Sequence, residues 1–91
     1  MIEDFTKDEI DNLHKTIGTN VKKIRQSSNL SQLELSYKMG LKSVSLVSAS
    51  EPYTNGKHFN IQHLYKIASI CNTDLKDFFD GIDTKNGHNT P

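Results

Sequence analysis

The sequence predicts an all-α fold, and three features of the chain support this prediction. Apolar residues recur at steps of three and four over several segments, which is the spacing of one face of an α-helix. Ser, Thr or Asn precedes these segments, twice with Glu three residues later, as at a helix N-terminus. No segment alternates apolar and polar residues as a half-buried strand would. A chain of 91 residues provides one modest core, and we expect five helices.

The first helix is predicted from Thr6 to about residue 27. Thr6 and Glu9 have the spacing of a capping box. Gly18 lies inside this segment, at a cost of about 1 kcal/mol relative to alanine. The segment is therefore either one helix or two helices that meet near Gly18. One face of this segment forms an apolar stripe of Ile10, Leu13, Ile17, Val21 and Ile24. We expect the stripe to pack on the core of the same chain, and the alternative is that it pairs with a second copy.

Two short helices joined by a glycine turn are predicted within residues 30–51. Ser31 and Glu34 have the spacing of a second capping box. Gly40 can adopt the positive φ at which helices end. We expect the next helix to begin close by, with Ser43 as its N-cap. Two short helices that meet at a glycine turn form the helix-turn-helix pattern.

Two further helices are predicted in the C-terminal part of the chain. Asn60 is suited to begin a helix of apolar helical spacing that Asn72 ends. Thr73-Asp74 begins the fifth helix, and Gly81 ends it. The polar tail beyond is expected to be mobile. The predicted organisation is an acidic N-terminal helical extension over residues 1–17, a helix-turn-helix domain over residues 18–81 and a flexible tail over residues 82–91.

Charge is unevenly distributed along the chain, although the formal net charge is zero. The net charge is −3 over residues 1–17, +4 over residues 18–50 and −1 over residues 51–91. The positive excess thus falls on the helix-turn-helix pattern and the helix before it. Phosphate binding requires such an excess, because affinity comes from counterion release along a nucleic acid. A solvated basic face is the alternative explanation, and charge alone favours it.

Composition argues against several classes of function. No apolar run approaches the roughly 20 residues of a membrane-spanning helix, and the acidic N-terminus lacks the apolar core of a signal peptide. Cys71 is the single cysteine, which excludes a disulfide within the chain and fits a reducing cytoplasm. His58 and His63 are poorly spaced for a zinc site, which needs about four ligands. With neither a phosphate-binding glycine loop nor a nucleophile elbow, we expect no enzyme activity, no cofactor and no metal.

Residues 18–79 resemble the helix-turn-helix domain of the phage repressor and Cro family, the XRE type. The matching residues are Gly18, Val21, Ile24 and Arg25, then Leu30-Ser31-Gln32, Leu35, Met39 and Gly40, then Val47-Ser48 and Glu51, and finally Leu64, Ile67 and Ala68. The resemblance implies a compact, repressor-like domain of five helices. It also implies a regulator of transcription that binds double-stranded operator DNA, usually as a homodimer.

The resemblance implies separate roles for individual residues. Gln32 would contact a DNA phosphate and brace the third helix, aided by backbone amides at the start of the second helix. Arg25 and Glu51 would form an internal ion pair, which suits the planar fork of arginine. The residues expected at the DNA interface are Gln32, Lys42, Ser43, Val44, Ser45, Ser48, Ala49 and Lys57.

Departures from the family pattern support a second hypothesis. Strong base readout uses Arg, Lys, Asn or Gln, whereas the expected reading positions hold Val44, Ser45 and Ala49. Ser50 stands where the family usually buries an aliphatic side chain, which should loosen the third helix. The alternative function is a protein-interaction or antitoxin-type module with weak base readout. Val44 and Leu46, if exposed, would then contact the protein partner.

The segment after the third helix has two possible roles. Tyr53, Lys57, His58 and Phe59 form a basic and aromatic loop. The loop either contacts phosphates beside the third helix or is mobile, with Phe59 filling the core. The sequence favours neither.

Overall fold

The computed structural model describes residues 4–84, and all regular secondary structure in that range is helical. The all-α prediction is therefore confirmed for these residues. The α-helices are α1 (Lys7–Ser27), α2 (Gln32–Lys38), α3 (Ser45–Ser50) and α4 (Ile61–Cys71). Two 3₁₀ helices flank α4, Thr54–Gly56 before it and Leu75–Phe79 after it. The fifth predicted helix is thus a 3₁₀ helix. The predicted flexible tail covers residues 82–91, and its part from residue 85 onward lies outside the described residues.

The predicted helix ends are largely present. α1 is one unbroken helix of 21 residues. Both capping boxes form, because the hydroxyls of Thr6 and Ser31 each accept a hydrogen bond from the amide of the glutamate three residues later. Gly40, with φ of 87°, ends α2. The Leu41 amide then donates to the Ser36 carbonyl at 3.0 Å, as in a Schellman motif.

α3 begins later than predicted. Its N-cap residue is Val44, so the prediction that Ser43 caps this helix is wrong. The Ser43 hydroxyl instead accepts a hydrogen bond from the amide of Ser45 at 3.3 Å. Such a local bond offers the backbone an alternative to the helix and delays its start. With six residues, α3 depends for its stability on tertiary packing.

The core draws on every α-helix and on the C-terminal 3₁₀ helix. Asn20 joins the C-terminal 3₁₀ helix to the middle of α1, because its side-chain amide donates to the carbonyls of Phe78 and Asp80, both at 2.8 Å. None of the described helices has the length and apolarity to cross a membrane. The buried apolar side chains are Ile17, Val21, Leu35, Met39, Val47, Phe59, Leu64, Ile67, Ala68 and Phe78.

Gly18 lies where α1 approaches the end of α3 most closely. A Cβ atom at this position would lie 2.2 Å from the carbonyl oxygen of Glu51 and 2.7 Å from that of Ser50. No side chain fits in that space, since both neighbouring atoms belong to the backbone. The glycine that weakens α1 as a helix is therefore what allows α1 and α3 to pack together.

Candidate nucleic-acid interface

A buried network of hydrogen bonds joins α1, α2 and α3. Arg25 donates from Nε and Nη2 to the two carboxylate oxygens of Glu51, at 2.7 and 3.0 Å. The two side chains are only 8% and 2% exposed. Nη1 of Arg25 donates to the Leu30 carbonyl at 2.8 Å, and Nε2 of Gln32 donates to Glu51 at 2.9 Å. The ion pair that the resemblance implied is present, with each of its charged atoms engaged.

This network fixes α3 relative to α2. Gln32 is the first residue of α2 and Glu51 follows the last residue of α3, so their hydrogen bond joins the two helices directly. Val47 and Ser50 of α3 are fully buried. The helical period places Ser45, Ser48 and Ala49 on the opposite face of α3. That face is consequently held in one orientation, directed away from the core.

The expected DNA-binding residues differ in their exposure. Lys42, Ser43 and Ser45 are exposed and adjoin one another where α3 begins. Lys57 is also exposed and follows the 3₁₀ helix Thr54–Gly56, which packs against α3. The remaining expected residues are half-buried, and they are Gln32, Val44, Ser48 and Ala49.

Two of the expected contacts are altered by the geometry. The amide of Gln32 braces the end of α3 through Glu51, which leaves its side chain only partly available to a phosphate. At the start of α2, the amides of Ser31 and Glu34 bond to each other's side chains. The Ser31 amide and hydroxyl, by hydrogen bonding to the Glu34 carboxylate, hold the pKa of Glu34 below its ordinary value. The start of α2 therefore carries its own negative charge and offers fewer free amides to a phosphate.

The exposed charge of residues 18–73 is almost entirely positive. Glu34 and Glu51 are the only acidic residues between positions 18 and 73, all of which the structure describes. Glu51 is buried against Arg25, so Glu34 is the single exposed acid of this range. Six lysines of the same range are exposed, and they are Lys22, Lys23, Lys38, Lys42, Lys57 and Lys66.

A cluster of stacked rings fastens the loop after α3 to α1. The ring centroid of His14 on α1 lies 3.9 Å from that of His58 and 5.6 Å from that of Tyr53. The Tyr53 hydroxyl donates to the carboxylate of Asp11 at 2.8 Å, and Lys7 donates to the same carboxylate at 2.7 Å. The sequence did not reveal this cluster. Spacing places Asp11 and His14 one turn apart on α1, but no local signal identifies a partner more than 40 residues away.

The environment of this cluster favours uncharged rings. Burial lowers the pKa of His14, and the neighbouring His58 lowers it further. Within the described part of the chain, the buried Nδ1 of His14 has no hydrogen-bond partner. The hydrogen bond to Asp11 raises the pKa of Tyr53. Near neutral pH the uncharged forms of His14 and Tyr53 are therefore favoured, and the loop that carries Lys57 stays attached to α1.

The histidines and other potential ligands do not converge on a metal site. Among residues 4–84, no three His, Cys, Asp or Glu side chains are grouped so that they could hold a metal ion. His63 interacts instead with Asn60, as part of the capping box of α4. Phe59 is 4% exposed and fills the core, which corresponds to one of the two roles considered for its loop.

Comparison with models of known protein families returned no match to this chain, and comparison with curated proteins returned none either. The geometry of the described residues is therefore the basis for assigning a function.

Proposed function

We propose that this protein is a small helix-turn-helix regulator of transcription, of the repressor and Cro type, that binds duplex DNA. α2, the Gly40 turn and α3 form the two-helix unit, and α3 enters the major groove. One observation carries the proposal. The outward face of α3 is held in place by the Arg25, Gln32 and Glu51 network, and the exposed Lys42 and Lys57 lie at the start of α3 and in the loop that follows it.

Phosphate contacts come from exposed residues beside α3 in this proposal. Lys42 and Ser43 lie at the start of α3, and Lys57 lies in the adjoining loop that the ring cluster fastens. Lysine supplies point charges to phosphates, and a serine hydroxyl can donate to a phosphate oxygen. Gln32 contributes chiefly by holding α3, because its amide already donates to Glu51.

Base readout falls to small side chains. Ser45, Ser48 and Ala49 share the outward face of α3, and Val44 precedes them. Serine is weakly selective among bases, while alanine and valine can contact a thymine methyl group. We therefore expect modest sequence preference from each copy, supplemented by the shape of the DNA. Binding of two copies to a palindromic site would raise the specificity.

A duplex library provides the direct test. The protein is incubated with randomised duplexes at about 50 and about 200 mM salt, and retained duplexes are sequenced. We expect retention at low salt, with enrichment of a palindromic sequence. Failure to retain any duplex at low salt contradicts DNA binding. Retention without enrichment reduces the function to sequence-indifferent binding.

Charge reversal at Lys42 tests the placement of the interface. Lys42→Glu is expected to weaken binding to all duplexes alike and to reduce the slope of log K against log salt by about 1. Lys76→Glu, in the C-terminal 3₁₀ helix, makes the same charge change away from the proposed interface and serves as the control. Fluorescence anisotropy with labelled duplexes measures both variants. Equal effects of the two variants would place the interface elsewhere.

The second candidate is a protein-interaction or antitoxin-type module. The small side chains on the outward face of α3 favour it, since they offer little base readout. Val44 and Leu46 are half-buried, and Leu46 packs against the core, so they present a limited docking area. Enrichment of a duplex sequence supports the first candidate, whereas sequence-indifferent binding together with capture of a specific protein supports the second.

A further inference from the structure

The segment of residues 52–58 between α3 and α4 is anchored at both ends and exposed between them. Glu51, just before the segment, and Phe59, just after it, are each 4% exposed. Within the segment Tyr53 is half-buried, and the other six residues are exposed. The segment can therefore separate from α1 while both buried ends stay in place.

The backbone of segment 52–58 is held in a conformation that its sequence does not favour. Tyr53 and Asn55 have φ of 62° and 52°, in the left-handed region. Asparagine tolerates this region, whereas it is costly for a bulky residue such as tyrosine. Such a conformation persists only where surrounding contacts impose it. For Tyr53 these contacts are the stack on His14 and the hydrogen bond to Asp11, and their loss would let the backbone relax.

The stack of His14 on His58 has little capacity for positive charge. Its ring centroids are 3.9 Å apart, so two imidazolium charges would repel each other strongly. Nδ1 of His14 is buried and, within the described part of the chain, without a partner, so a proton there would lack an acceptor. Nδ1 of His58 lies 3.1 Å from the Gly56 carbonyl, to which it donates, and a further proton binds at Nε2. The pair therefore accepts one proton more readily than two.

On α1, Asp11 is the acidic group that acts on this pair. It favours a charged His14, but burial and the neighbouring His58 together outweigh it, and the pKa of His14 is lowered. The Asp11 carboxylate is also engaged, because it accepts from the Tyr53 hydroxyl. The cations of α1 that act on Asp11 in turn are Lys7 and Lys15.

The other two elements around the pair contribute cationic groups. Lys57 precedes His58 in segment 52–58, and His63 and Lys66 belong to α4. Burial, then Lys66 and then His58 lower the pKa of His63. These groups add to the opposition that a second proton meets at the pair.

We propose that His14, Tyr53 and His58 form an acid-sensitive attachment, which holds segment 52–58 on α1 and releases it when the histidine pair takes up a second proton. After release both imidazoles are solvated, and each can bind its own proton. The released state then holds about one proton more than the attached state, and its population relative to the attached state should rise up to about tenfold per pH unit as pH falls. The rise begins near 6.5, the ordinary pKa of histidine.

Magnetic resonance of the free, full-length protein tests the attachment. At about pH 7.5 the ring protons of His14 should give nuclear Overhauser signals to those of Tyr53 and His58, and at about pH 5.5 these signals should be lost. The side-chain amide of Asn20, which bonds to the C-terminal 3₁₀ helix, should keep its signals at both pH values. This second measurement separates local release from unfolding of the whole protein.

Variants separate proton uptake from ring stacking. His14→Phe and His58→Phe each keep three rings but leave one imidazole in the stack, so release at about pH 5.5 should fall at least fivefold. Tyr53→Phe loses the hydrogen bond to Asp11 and should increase the released population about threefold. His63→Gln removes a histidine outside the stack and should leave release unchanged. Circular dichroism at both pH values establishes that each variant is folded.

Several results would overturn this proposal. Ring signals between His14 and His58 that persist after both imidazoles have titrated would show that the stack tolerates two charges. Loss of the Asn20 signals at the same pH would show that the whole protein unfolds instead. Undiminished release in both phenylalanine variants, or suppression of release by His63→Gln, would assign the responsible proton to another group. All of these measurements use the protein without DNA, so their outcome is independent of DNA binding.

Discussion

Ser50 is the residue whose chemistry least suits its environment. Its side chain is fully buried, and within the described part of the chain its hydroxyl has no hydrogen-bond partner. A buried polar group without a partner costs about 1–3 kcal/mol. Ser50 lies at the closest approach of α3 to Gly18 of α1, so its neighbourhood is packed with backbone atoms. The family that the sequence resembles usually has an aliphatic residue here, so we expect the serine to leave the end of α3 less stable than an apolar residue would.

Replacement of Ser50 by alanine is therefore expected to stabilise the protein. Ser50→Ala removes the unpartnered hydroxyl and only a small volume, so the free energy of unfolding should rise by about 1 kcal/mol. Ser48→Ala is the matched control on the same helix, because the Ser48 hydroxyl donates to the Ser45 carbonyl at 3.3 Å. Urea denaturation compares the two. Destabilisation by Ser50→Ala would indicate a bound water that satisfies the hydroxyl.

At the scale of the element, helix ends were predictable because their signals are local. The capping boxes that begin with Thr6 and Ser31, the turn at Gly40 and the cap at Asn60 all depend on residues within a few positions. The start of α3 was not predictable, because Ser43 forms a different local bond and α3 is held mainly by tertiary contacts. Propensity is a weak guide for a helix of six residues.

The candidate site was predictable only where the family resemblance supplied long-range pairs. The contact of Arg25 with Glu51 spans 26 positions and came from the resemblance alone. The ring cluster of His14, Tyr53 and His58 belongs to no such pattern and was missed. Sequence periodicity identified the apolar stripe of α1 that includes Ile10, but only the structure places Ile82 opposite it.

The network that joins α1, α2 and α3 makes a strong prediction about stability. Glu51→Ala leaves the guanidinium of Arg25 buried without its counter-charge, and we expect a loss of about 3–5 kcal/mol in the free energy of unfolding. Arg25→Met combined with Glu51→Ala removes both charges and should cost less than the sum of these two single changes. The exposed pair of Lys7 and Asp11 is the comparison, and Lys7→Ala should have little effect.

A double-mutant cycle by chemical denaturation measures this coupling. Additive losses at positions 25 and 51 would mean that the two charges are solvated and contribute independently. Because Glu51 also accepts from Gln32, the single Glu51 variant should additionally loosen α3 relative to α2. Hydrogen exchange at the amides of α3 reports that loosening.

At the scale of the whole molecule, charge is unevenly distributed along the chain. The range from residue 18 to 73 exposes six lysines and one acid, while acids prevail in residues 4–11 and 74–84. The zero net charge of the chain therefore conceals a basic middle part and two acidic flanks. A local positive excess of this kind is what phosphate binding at the proposed interface requires.

Two partly buried histidines, His14 and His63, make the stability of the whole protein depend on pH. Burial lowers the pKa of His14 and of His63 below the ordinary value of 6.5. The unfolded chain then binds more protons than the folded protein as pH falls through 6.5. The contribution of these two histidines to the free energy of unfolding is therefore complete above pH 6.5 and decreases below it. The lowered pKa values of Asp11 and Glu34 change the free energy of unfolding only at pH values near or below 3.8 and 4.5, the ordinary pKa values of these two groups.

The free energy of unfolding is accordingly expected to fall between pH 7.5 and about pH 5.5, where histidine is the side chain that ordinarily titrates. His14→Phe keeps a ring in the stack but removes its titration, so this variant should have a shallower pH dependence. His63→Gln removes the other lowered pKa and retains a side chain suited to the capping box of α4. Denaturation at several pH values compares both variants and their combination with the original protein. An undiminished slope in the combined variant would mean that these two histidines do not control the acid response, because only groups whose pKa differs between the folded and unfolded chains contribute to it.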